Sequence, residues 1–77
     1  MNTTPAQRIG QLIRHHRHQA GVTQRQIAAD LGVAQATVSA WEAGIYEPSV
    51  VTLAQLSHHL GVPADAWIAA VKEGDAA

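Results

Sequence analysis

"GVTQRQIAADLGVAQATVSAWEAG", residues 21–44, reads as two short amphipathic runs on either side of one glycine. In the first run, Thr23 and Gln26 stand at capping-box spacing. There the hydroxyl accepts from the third helical amide while the glutamine reaches back to the cap. Ile27, Ala28 and Leu31 make the inner stripe of this helix, and Gly32 supplies the stop. A second helix follows after one or two residues. On a 3.6-residue period Val38, Trp41 and Glu42 share one face, and Gln35, Ala36, Ser39 and Ala43 share the opposite one. Residues 31–44 carry no Lys or Arg and a single charged residue besides, Glu42. The outward face is small and polar, shaped to lie closely against a partner.

The flanking sequence supplies three more helices. One runs from about Pro5 to Ala20, with Thr4 as N-cap, Pro5 at the first helical position, and Ile9, Leu12, Ile13 and Ala20 inward. Gly21 ends it. Ser49, after Pro48, caps another, whose Val50, Leu53, Leu56 and Leu60 are expected inward; Gly61 closes it. The last has Pro63 near its start, Asp65 in the first turn, where the helix dipole favours an anion, and Ala64, Trp67, Ile68 and Val71 as apolar positions. The repeated "LGV" at 31–33 and 60–62 is one stop signal used twice, not a duplication. Two short helices tightly joined through glycine, inside such a set, form a helix-turn-helix pattern. The fold class expected is all-α: a compact five-helix bundle.

Length and composition agree. A chain of 77 residues makes one small domain, which buries roughly 60% of the surface its unfolded form exposes. The expected ordered core is residues 5–71, with 72–77 fraying for want of apolar period. There is no Cys, so disulfides and thiolate zinc sites are excluded and packing must hold the core. No apolar run is long enough for a membrane span and the N-terminus has no signal-peptide pattern, which leads to an expected cytoplasmic location. A net charge of −1 offers no general attraction to nucleic acid.

Residues 21–44 resemble the helix-turn-helix of the phage Cro and repressor type, the XRE family. The likeness runs from about Ile9 to Ile68. It rests on Gln24 opening the second helix, Ala28 at a helix contact, Gly32 in the turn, Val38 inside the third helix, "WEAG" ending it, "EPS" starting the fourth and "LGVPADAWI" at the close. The resemblance implies a third helix that enters the DNA major groove. Residue chemistry reaches the same surface: Gln35 can pair with adenine through two bonds, Ser39 can donate or accept, and Ala36 can meet a thymine methyl. Phosphate contacts are expected from Gln24, Arg25, Thr37, Ala40, Tyr46 and Arg14, with Arg8 a further candidate; the role of Gln24 is carried over from the family, and the start of the second helix already favours an anion. The chain departs from the family at Ala34, where an N-cap Ser or Thr is usual, and in the loop "GIYEPS", where Glu47 stands in place of a cation.

The family also pairs an arginine in the first helix with a glutamate ending the third. Arg17 and Glu42 match those positions and are expected to form a buried structural ion pair. Trp41 and Trp67 fall on inner stripes and are expected in the core or an interface. A homodimer is expected through Trp67, Ile68 and Val71, because related domains bind paired half-sites about one helical turn apart. Of the five histidines, His15 and His18 lie three apart on the first helix and His58 and His59 near the end of the fourth. Two imidazoles without a third ligand make a poor zinc site, so they are read as a solvated face, with His16 partly buried. No metal or cofactor is expected. Protonation of histidines in mildly acidic buffer would add positive charge and tighten DNA binding.

Enzymatic chemistry has little foundation: there is no phosphate-binding glycine loop, no Cys nucleophile and no ordered Ser, His and Asp set. The expected function is a sequence-specific DNA-binding regulator, a repressor on a palindromic operator. The alternative is a protein-binding use of the same fold, as an antitoxin facing its toxin or a module docked on a larger regulator.

Overall fold

The computed structural model describes residues 3–73, which form five helices in the order α1 (Pro5–Gln19), α2 (Gln24–Leu31), α3 (Gln35–Glu42), α4 (Val50–Leu60) and α5 (Ala64–Glu73). The caps read from the sequence are made. Thr4 and Thr23 each close a full capping box with Gln7 and Gln26, and Ser49 accepts from the Thr52 amide. Gly32 terminates α2 at φ 69°, a left-handed conformation strained for a residue with a Cβ. The joint from α2 to α3 is three residues, Gly32 to Ala34, slightly longer than the sequence reading. Ala34 caps α3 with no side-chain bond, so the start of α3 lacks a partner that Ser or Thr would supply.

The core joins Ile9 and Ile13 of α1, Ile27 and Ala28 of α2, Val38 and Trp41 of α3, Leu56 and Leu60 of α4, then Val62, Trp67 and Ala70. Each large aliphatic side chain so enclosed contributes about 1.5–3 kcal/mol. The Trp67 indole N–H donates to Ser57 Oγ at 2.7 Å, so this buried ring loses no polar bond. Three expectations need correction. Val50 is 82% exposed, because it opens α4 at the rim of the bundle and borders the open groove toward α5 without being covered by it. Ala20 is exposed, since it is the C-cap of α1 and has left the helical face. Ala70, absent from the expected stripe of α5, is in the core, on the side of α5 whose backbone is tied to α1 through Arg8 and the Ala70 carbonyl. Helix α5 runs through Glu73, two residues into the segment expected to fray, while 74–77 lie outside the described residues.

Helix α3 is held against α1 at close range. A Cβ built on Gly10 would fall far inside contact distance of the Trp41 carbonyl oxygen and 2.8 Å from that of Glu42. Glycine is what lets the two backbones touch. Arg8 ties the other end of α1 to α5: its Nε donates to the Ala70 carbonyl and its Nη1 to Thr3. Among the described residues no helix is long and apolar enough to cross a membrane, and no group of three or more potential ligands could hold a metal ion.

Candidate nucleic-acid interface

Helix α3 separates its residues by size. Val38 and Trp41 are buried, while Gln35, Ala36, Ser39 and Ala43 are exposed and Thr37 and Ala40 are half-buried. The inward pair anchors the helix. What remains outside is an amide, a hydroxyl and methyl groups on a backbone that a flat partner could approach closely.

The start of α2 lies beside the start of α3. Thr23, Gln24, Arg25 and Gln35 line one shallow notch, so the structure brings together one residue expected at bases and two expected at phosphates. Thr23 satisfies the Gln26 amide. Tyr46 is 48% exposed in the loop after α3. Arg14 sits elsewhere, on the outer face of α1, where it lines a depression with Gln11, His15, His18 and Gln19. Arg8 is engaged with α5 and Thr3, so its guanidinium serves the fold. The chain has five Lys and Arg residues. With Arg8 and Arg17 bonded internally, Arg25 is the cation that lines the notch.

Arg17 and Glu42 form the expected pair. Arg17 Nε donates to Glu42 Oε2 at 2.7 Å and Nη2 to Oε1 at 3.1 Å, a two-bond fork with side chains only 10% and 4% exposed. Arg17 Nη1 also donates to the Val22 carbonyl at 3.0 Å, which binds the joint between α1 and α2 into the same cluster. The sequence reading missed a further member: Gln24 Nε2 donates to Glu42 Oε1 at 3.0 Å. No periodicity signals a bond between residues 18 apart. The one available hint is a polar residue at the first position of α2.

Of the residues expected at a dimer interface, Ile68 and Val71 are 56% and 41% exposed, whereas Trp67 is 5% exposed and offers only an edge. They line an apolar groove between α4 and α5 with Val50, Leu53 and Ala54.

A family model for helix-turn-helix domains matches residues 13–67, which takes in α2, α3 and their joint. The chain belongs to the helix-turn-helix family of the Cro and phage-repressor type. A relative described as an uncharacterized HTH-type transcriptional regulator, from Methanothermobacter thermautotrophicus, is 40% identical over 50 residues, which is 65% of this chain and 72% of the relative. In this helix-turn-helix protein the pair α2–α3 is therefore the family's own motif, and the all-α architecture agrees with it.

Proposed function

We propose that the protein is a sequence-specific DNA-binding transcriptional regulator, a repressor that binds a palindromic operator as a dimer with α3 in the major groove. The observation that carries this reading is the division of α3, with Val38 and Trp41 buried, Gln35, Ala36 and Ser39 exposed, and Gln35 lining the notch with Gln24 and Arg25. In this arrangement Gln35 reads adenine, Ser39 bonds to a neighbouring base edge and Ala36 meets a thymine methyl. Gln24, Arg25, Thr37, Ala40 and Tyr46 take phosphates, with Arg14 contributing from α1. Two copies meet through Ile68 and Val71 with the edge of Trp67, which sets two half-sites about one helical turn apart. Repression follows by occupying a promoter.

The test is selection of bound duplexes from a random pool at low salt, run with wild type and with Gln35→Ala. A palindromic site that the variant loses or relaxes is the expected result. No enriched sequence with either protein would remove the DNA reading. One observation favours a second reading, in which the fold binds a protein such as a toxin or a larger regulator. Ile45 and Tyr46 are 72% and 48% exposed beside α3, in a loop whose charged residue is the acidic Glu47.

A further inference from the structure

Glu42 sits where three elements meet. Its side chain is 4% exposed, and a carboxylate paired with a guanidinium offers only lone pairs. Arg17 supplies two N–H groups and Gln24 one, the last at 3.0 Å on Oε1. Because the carboxylate has no hydrogen to give, Gln24 must turn its nitrogen, not its carbonyl, toward Glu42. The orientation of this amide is thus set by chemistry. Its nitrogen carries two hydrogens and Glu42 takes one of them.

Gln24 is the first residue of α2 and lines the notch with Thr23, Arg25 and Gln35. We infer that Glu42 is a positioning residue for DNA contact: it holds the Gln24 carboxamide in a single orientation and leaves its second N–H for a phosphate oxygen. A free glutamine must freeze its rotamers on binding, and one already held has little left to lose. Arg17 completes the device. It offsets the Glu42 charge, so no uncompensated carboxylate stands behind the phosphate. The inference rests on the DNA-binding reading above and deepens it. Glu42 itself touches no DNA.

Two measurements test it. In the NMR spectrum of the free protein, the Gln24 side-chain hydrogens should be widely separated in shift, unlike those of the exposed Gln19. Glu42→Gln, which replaces the charged acceptor with a neutral one, should narrow that separation toward that of Gln19. Wild-type Gln24 hydrogens that behave like those of Gln19 would overturn the proposal. On the selected duplex, Gln24→Ala and Glu42→Gln should each weaken binding about tenfold, as loss of one charge-assisted bond implies. The double variant should lose no more than either alone, where independent roles would give about a hundredfold. Replacing the contacted phosphate with a neutral methylphosphonate should weaken wild type and leave Glu42→Gln unaffected. If Glu42→Gln fails to fold, wild type still decides: the second Gln24 hydrogen must shift when duplex is added, and one that stays put overturns the role. Absence of duplex binding by wild type would remove the functional reading and the phosphate role together, while the free-protein spectrum still reports whether the hold exists.

Discussion

Gly10 of α1 and Trp41 of α3 meet backbone to backbone, with no room for a Cβ between them. The obstacle there is the carbonyl oxygens of Trp41 and Glu42, not flexible side-chain ends. Gly10→Ala would gain about 1 kcal/mol in helix propensity. It would also push α3 off α1, and overpacking of this kind costs about 1–3 kcal/mol, more when backbone must move. A net loss of stability is expected, with Tm falling by about 4–8 °C for each kcal/mol lost. An unchanged Tm would mean that α3 can slide away freely.

Ala34 gives the opposite prediction. It caps α3 without a side-chain acceptor, and the Thr37 amide reaches only its carbonyl, at 3.0 Å. Ala34→Ser should stabilise the protein by about 1 kcal/mol. The urea midpoint should rise with the slope unchanged. A fall in the midpoint would show that the cap is already satisfied by other means.

The Arg17–Glu42 pair separates two kinds of loss. Arg17→Ala strands an enclosed carboxylate and releases the Val22 carbonyl, so about 3–5 kcal/mol of destabilisation is expected. The double variant Arg17→Met with Glu42→Leu removes both charges together and should be markedly less destabilised. Denaturant unfolding of both proteins checks this. Equal losses would mean that the charges themselves contribute more than their pairing.

His18 has a defined proton position. Its Nε2 faces Arg17 Nη2 at 3.1 Å, and a guanidinium can only donate. The ring must therefore accept there and, when neutral, carry its hydrogen on Nδ1. Nitrogen NMR of the histidine ring at neutral pH should show that tautomer. Finding the proton on Nε2 would exclude the bond.

Salt dependence reports how few cations face DNA. With Arg25 at the notch and Arg14 on α1 as the cations assigned to phosphates, the slope of log affinity against log salt should be only about −2 per monomer. Binding to the selected duplex over a range of salt measures it. A much steeper slope would reveal a basic surface beyond Arg25 and Arg14.

Much of this protein is local chemistry and was legible along the chain. Thr4, Thr23 and Ser49 cap because a hydroxyl one residue before a helix finds a free amide within reach, and Gly32 stops α2 because it alone takes a positive φ without strain. The inward and outward faces of α3 follow from the helical period alone. The same period misplaced Val50 and omitted Ala70, since it says which residues share a face and not whether that face finds a neighbour. Gln24 with Glu42, Arg8 with Ala70 and Gly10 with Trp41 were decided only when the helices packed. Each joins atoms remote in the chain, and such meetings depend on the distances and angles between helices, which no run of neighbouring residues encodes.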